Sequence, residues 1–434
     1  MKSLLAWLVV LAAGVGLAAA ADPDMTFYGG ISGILQERCQ SCHRPGEIGP
    51  MPLRTYSEVR PWAKAIRKAV VNRVMPPWYA DPSVGTFHND PSLPQSDIDK
   101  VVAWVDGGAV EGDPKQMPAA RAFVDGWNIG NPAAVFDVPR AYQVPESGTV
   151  EYTYAIVPTG FTEDRWATGI EFRPGNRAVM HHATVFVREP KSTWLRKYPV
   201  GQYFVPEEQI RTAATPTPAA TTNAGAGALD QAIAGYVPGR PERRLPAGYG
   251  MLIPAGSDLV FQLHYTTNGK GAEDRSRVGF VFAESPLQKR VIRVSAADDR
   301  FAIPPEAPDY AVSGAATLGV DSELLAVYPH MHLRGKSMML SVLYPTGERD
   351  DLLRVPRYDF NWQLVYDLSE PKRLPKGTRL QADGTFDNSS NNRHNPNPKT
   401  EVRWGDQSWE EMMVGFFMLA VPADTDVRTV LARR

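Results

Sequence analysis

The sequence predicts a multidomain chain: a small all-α domain followed by two antiparallel β-sandwiches. Three observations predict it. At 434 residues the chain exceeds one ordinary domain. Helical periodicity is confined to residues 22–112, whereas short alternating runs fill the rest: "TVEYTYAIVP", "AVMHHATVFVRE", "DLVFQLHYTTNG", "SRVGFVFAE" and "SELLAVYPHMHL". The 38 prolines and 36 glycines favour loops and short strands over long helices. The β region is too long for one sandwich, so we divide it into 141–287 and 288–434, after a Pro-, Ala- and Gly-rich linker at 113–140. No internal repeat is evident. The formal net charge of -2 argues against a nucleic-acid partner held by bulk charge.

The first residues, "MKSLLAWLVVLAAGVGLAAAADPD", read as a secretory signal spanning 1–21. One lysine precedes an apolar run from Leu4 to Leu17, and small residues lead to a cleavage site near Ala20 or Ala21. The run is short for a membrane span, although an uncleaved anchor is the alternative. No later segment is apolar enough to span a bilayer. The expected location is periplasmic or secreted, in a bacterium.

Within 22–112, Phe27, Ile31, Ile34 and Leu35 form one helical face. "SEVRPWAKAIRKAVVNRV" gives a second helix with Ser57 as candidate N-cap and Pro61 near its first turn. "SDIDKVVAWVDGG" gives a third, capped by Ser96, with Ile98, Val101, Val102 and Val105 as its stripe and Gly107-Gly108 as its end. The first helix runs into "RCQSCHRPG", which holds the chain's two cysteines, Cys39 and Cys42, and then His43. C-x-x-C-H is the attachment sequence of a c-type haem: two thioethers and an axial imidazole. A disulfide is the competing use of the thiols. Zinc would need four ligands, and there is no second C-x-x-C. Helix, haem motif, helix, helix is the plan of a small cytochrome c. Its sixth ligand is expected to be Met75 in "VMPPWYADP", with His88 as the alternative; Met51 follows His43 too closely to reach the opposite haem face.

Of eight histidines, five lie in the strand-like runs: His181, His182, His264, His330 and His332. Buried imidazoles need partners for their ring nitrogens. His330 and His332, two apart on a strand, point to one face and can lean onto one metal ion. The adjacent His181 and His182 cannot do so on a regular strand; a bulge, a strand end or different ring nitrogens are required. His264 is a possible third donor for that pair. The second pair lacks one, and a thioether would suit Cu(I). "SWEEMMVGFFMLAVP" offers Met412, Met413 and Met418; on one regular strand Met412 and Met418 share a face and Met413 takes the other. Each also fits a packed core methionine.

In order, "VMHHATVFV", "QLHYTTNG", "PHMHLRG" and "EEMMVGFFMLA" resemble the motifs of the copper type II, ascorbate-dependent monooxygenases, the family of dopamine β-monooxygenase and the peptidylglycine α-hydroxylating enzyme. The resemblance spans nearly all of 140–434. It implies two jelly-roll subdomains, each with one copper, facing across a wet cleft. It implies that His181, His182 and His264 hold the copper that stores and relays an electron, and that His330, His332 and Met412 hold the copper where dioxygen binds. Met413 and Met418 remain core residues on this reading.

The function expected is hydroxylation of a C–H bond of a small organic substrate with dioxygen, using two copper ions and one covalently bound c-type haem. Insertion of one oxygen atom and reduction of the other to water need two external electrons. The family draws them from ascorbate; here the fused haem is expected to replace or supplement that donor, itself fed by a reductant or redox protein. The alternative is a haem and copper electron-transfer or copper-binding protein without hydroxylase activity; a haem-bearing binding module with structural histidines is a third reading. The side chains that hold the peptide carboxylate in the peptidylglycine enzyme are replaced by Tyr328, Val414 and Phe416, which argues against a glycine-extended peptide. Asp359, Asn361 and Trp362 in "YDFNWQ" are expected either to line the cleft or to form a turn, and His394 to face solvent. Asn388 heads an N-x-S sequon that a bacterial exported protein is not expected to use. The low-complexity stretch 211–228 is expected to be a flexible insertion.

Overall fold

The computed structural model describes residues 25–124, 126–206, 230–237 and 242–432. The expected signal at 1–21 and the low-complexity insertion lie outside the described residues. No helix among the described residues is long and apolar enough to cross a membrane.

The N-terminal region packs a π-turn, Phe27–Ile31, and its continuation Ser32–Arg38 against helices Ala63–Val71 and Gln95–Asp106. Phe27, Ile31, Ile34 and Leu35 are all buried there, with Ile98, Val101 and Trp104 from the last helix. Two expected caps move. Thr55, not Ser57, caps the second helix: its hydroxyl accepts from Glu58 N while the Glu58 carboxylate accepts from Thr55 N, a reciprocal capping box. The third helix starts at Gln95, before Ser96, behind Pro94, and no side chain caps it. The Gly107-Gly108 end is as expected, with Gly108 at φ +94°.

The remainder is antiparallel β, in two face-to-face pairs of sheets. A five-stranded sheet orders Tyr203–Phe204, Thr153–Pro158, Asp258–Tyr265, Met180–Arg188 and Asp230–Tyr236. A four-stranded sheet orders Tyr310–Thr317, Arg379–Phe386, Gly335–Leu343 and Arg349–Val355. Both pack against one nine-stranded sheet that runs through both halves. The halves join where Lys289 and Arg290 pair in parallel with Tyr249 and Gly250. Phe172, Phe261, Phe280 and Val185 centre the first core; Leu340, Phe386, Phe417 and Leu419 centre the second. The linker segment is not wholly irregular: Ala134–Asp137 is an edge strand on Arg277–Phe282.

Two contacts tie the helical region to the sheets. Trp78, Tyr79 and Phe87 pack on the second core, and Asp81 N and His88 N donate to the carbonyls of Arg354 and Asp367. On the other side Glu47, four residues past His43, pairs with both Arg44 and Arg177. Arg177 lies in the turn that leads into the Met180–Arg188 strand.

Candidate functional site: two imidazole clusters on one cavity

The bulge that adjacent histidines demand is present. Leu263 pairs with Ala183 and His264 with His182, but Tyr265 pairs with Met180, so His181 is the extra residue. The kink turns both imidazoles toward His264. The Nδ1 atom of His181 lies 3.2 Å from that of His264 and 3.2 Å from that of His182. Three nitrogens facing one another at this spacing fit a shared cation, because two nitrogens bonded at about 2.0 Å to a tetrahedral ion lie about 3.3 Å apart. Burial holds His181 down to about 4 and His264 to about 3, and His182 well below the ordinary histidine value. All three are therefore neutral donors at pH 7. Tyr152 stacks on His264 at 4.5 Å and braces His182 at 5.4 Å.

His330 ends the Ser322–Met331 strand and His332 follows it, their rings nearly perpendicular with centroids 5.1 Å apart. Each Nδ1 faces an acceptor: that of His330 lies 2.6 Å from Gln363 Oε1, and that of His332 lies 3.3 Å from the Glu410 carbonyl. Nδ1 thus carries the proton and Nε2 keeps its lone pair for a ligand. Burial lowers His330 to about 4 and His332 far below its ordinary value. The Glu411 carboxylate fixes the turn beyond them by accepting from His332 N and Arg334 N. Tyr358 clamps Met331 between them, accepting from its N–H and donating to its carbonyl.

Met412 lines the same cavity of about 390 Å³ as His330, His332 and His182. Met413 points the other way into the second core, and Met418 accepts a hydrogen bond from Arg243, as the alternation predicts. A thioether beside two neutral imidazoles fits Cu(I).

Phe360 meets a ring of each cluster, its centroid 5.5 Å from that of His181 and 6.0 Å from that of His332. The two imidazoles are therefore no farther apart than the sum of those spans. "YDFNWQ" forms the expected turn, in which Asp359 accepts from Asn361 N, but the residues it brings to the site are Phe360 and Gln363 rather than Asp359, Asn361 and Trp362.

At the haem motif, Cys39 and Cys42 are unbridged thiols. His43 Nδ1 lies 3.1 Å from the Met51 carbonyl, which commits that nitrogen and leaves Nε2 free. Unbridged thiols and an oriented imidazole fit a covalently held haem. Tyr236 sits between this motif and the first cluster: it pairs with Ala183, next to His182, and its phenol senses Arg177, Glu47 and Cys42. Met75 is half-buried where the chain leaves the Ala63–Val71 helix. His88 is held at the second sandwich, its Nδ1 3.2 Å from the Leu368 carbonyl. None of these contacts brings Met75 or His88 to His43.

Sequence reasoning missed Gln363, Phe360, Glu411, Tyr152 and Arg293. Only the position of Glu411 beside Met412 gave a signal. Asn388 is fully buried and its amide donates to the carbonyls of Pro304 and Thr400, so it is a loop organiser closed to glycosylation. His394 is exposed.

No family model and no curated protein matches this chain. Solved structures align only loosely. A structure of the infectious bursal disease virus Gx strain is 8% identical over 68% of this chain and 73% of that one, with a TM-score of 0.18. A structure of PNGF-II is 9% identical over 66% of this chain and 60% of that one, with a TM-score of 0.23. A Bacillus subtilis oxalate decarboxylase is 9% identical over 69% and 81%, with a TM-score of 0.15. At these scores none of them bears on fold or function.

Proposed function

We propose that this chain is an exported copper-dependent monooxygenase that hydroxylates a C–H bond of an organic substrate with dioxygen, its electrons entering through a c-type haem. The observation that carries the reading is the closeness of two three-donor sets, His181/His182/His264 and His330/His332/Met412: His182 lines the same cavity as the whole second set, and Phe360 meets a ring of each. When bound, copper in these two sets supplies dioxygen activation and one-electron exchange, and haem supplies the single electrons.

The chain's own residues prepare that chemistry. In a cytochrome c-like domain at 22–112, Cys39 and Cys42 would hold the haem as thioethers and His43 would bind its iron; Met75 is the sequence candidate for a second iron ligand, and no contact seen here brings it to His43. Glu47, Arg177 and Tyr236 place that motif beside the first cluster, which supports electron entry there. Gln363 and the Glu410 carbonyl fix the tautomers of His330 and His332. Phe360 sets an apolar ring against an imidazole of each set, the arrangement expected of a side chain that limits water there.

The test is copper per haem in matured full-length protein, followed by turnover with labelled dioxygen and a stopped-flow record of haem oxidation as copper is reduced. Two coppers per haem, lost one at a time in Met412→Ala and His264→Ala, support the reading. A ratio near zero under loading conditions overturns it. Full copper with no labelled product from any substrate screened leaves the electron-transfer alternative.

A further inference from the structure

The cavity beside His330 contains a cation that pairs with no carboxylate among the described residues. On the Lys289–Ala297 strand, Val291, Arg293 and Ser295 share one face. Arg293 pairs across to Met418, and Ser295 to Phe416. The guanidinium lies 4.4 Å from the Phe416 ring centroid, Phe416 stacks on Tyr328 at 5.3 Å, and Phe416 lies 6.2 Å from the His330 ring. Arg293 lines the same cavity as His330, His332 and Met412. Among the described residues no carboxylate pairs with it, and the titratable groups that sense it are Tyr328 and His330. Its neighbour Arg243, by contrast, faces Asp367 at 3.7 Å.

A second donor is orphaned in the same place. Gln363 spends its Oε1 on Tyr328 and His330, while its buried Nε2 has no acceptor. A half-buried unpaired charge and a buried unpaired amide each cost free energy unless a ligand satisfies them. Both are donors, so the complementary group is one that only accepts: a carboxylate, which a guanidinium binds in a fork. The rest of the wall has an aromatic side, from Phe416, Tyr328 and Tyr152, that suits an apolar body, and a polar side that includes Gln231, Gln262, Asp406 and Arg428.

We propose that Arg293, with Gln363 Nε2, is the anion-binding subsite of this cavity, and that the substrate is an organic carboxylate with an apolar or aromatic body. The proposal rests on the copper reading above for the word substrate; the subsite itself does not. Arg293 and His330 both border Phe416, so a molecule of one ring and a short chain can place its carboxylate on Arg293 and a C–H bond beside His330, His332 and Met412.

The test is calorimetric binding to copper-loaded full-length protein of the series from phenylacetate to 5-phenylpentanoate, each acid beside its neutral amide. At least one acid binds about tenfold or more tighter than its amide. Arg293→Gln removes the preference, and Arg293→Lys keeps part of it. Equal binding of every acid and amide, no binding across the series, or an acid preference intact in Arg293→Gln overturns the proposal. Copper content measured on the same samples separates the two readings. Two coppers without acid preference sinks the subsite alone, whereas acid preference without copper sinks the enzyme and leaves the subsite.

Discussion

His330 Nδ1 lies 2.6 Å from the side-chain oxygen of Gln363, which also accepts from the Tyr328 hydroxyl at 2.8 Å. That oxygen decides which imidazole nitrogen is free. Partners of this kind affect metal affinity by about 10–100-fold. Gln363→Leu is expected to weaken copper at the His330/His332/Met412 set by that factor. Gln363→Glu, which keeps the acceptor, retains most of the affinity. Competition with a coloured Cu(I) chelator reads this directly. Equal weakening at the His181/His182/His264 set would show a general loss of structure instead.

Phe360 gives a prediction about leakage. Its ring meets those of both His181 and His332, and among the described residues no other side chain has ring contacts to both clusters. Phe360→Ala admits water to the space between them. Copper-loaded protein with this change should oxidise reductant faster than the parent when no organic substrate is present, with copper content unchanged. Phe360→Leu, which keeps the space apolar, should lie close to the parent. Rates that do not differ between Ala and parent would remove the barrier role.

The joint between the two sandwiches carries a pH signature. Tyr249 donates to Glu323 at 2.7 Å, and Lys289 lies 3.3 Å from the same carboxylate. The hydrogen bond from Tyr249 lowers the Glu323 pKa, and the same bond raises Tyr249 to about 12. Glu323 is depressed, so its contribution is present above the ordinary carboxylate value and fades as pH falls through its folded value. Tyr249 is raised, so its contribution is present below pH 10 and fades as pH rises through about 12. Tyr249→Phe should therefore cost roughly 1 kcal/mol in denaturant unfolding at pH 7. It should cost much less at pH 3. A cost equal at both values would place the effect elsewhere.

Much of this architecture is legible in the sequence because it follows periodicity. The face Phe27, Ile31, Ile34, Leu35 is buried as its spacing requires, and Met412, Met413 and Met418 sort by strand alternation. The adjacent histidines demand a bulge, and His181 is the bulged residue. What pattern does not encode is long-range pairing. The one sheet that runs through both halves depends on two residue pairs between Lys289–Arg290 and Tyr249–Gly250. Gln363 and Arg293 look like solvated polar residues until the strands beside them are known. Caps shift by one or two residues because Thr55 and Ser57 are equally good candidates locally, and only Thr55 stands three residues before Glu58.

The helical region should also be held by a small aromatic clasp. Trp78 packs on Tyr366 at 4.6 Å and on Phe87 at 5.8 Å, and Phe87 meets Tyr366 at 5.4 Å. Phe87 and Leu368 form an isolated bridge, and Asn89 bonds the backbone of Val365 and Asp367. The Tyr79 phenol is raised by burial and by the charge of Asp359, the residue before Phe360, so the clasp ends close to the side chain that meets both clusters. Removing a half-buried tryptophan costs about 2 kcal/mol, less than for a full core position. Local opening of the 76–90 segment should then rise roughly thirtyfold. Limited proteolysis of Trp78→Ala at low protease should cut within this segment at a correspondingly faster rate, while the sandwiches stay intact. Trp78→Phe, which keeps an aromatic on Tyr366, should recover most of the protection. Cleavage of Trp78→Ala at the parent rate would mean that the backbone bonds of Asp81, His88 and Asn89 hold the segment without the clasp.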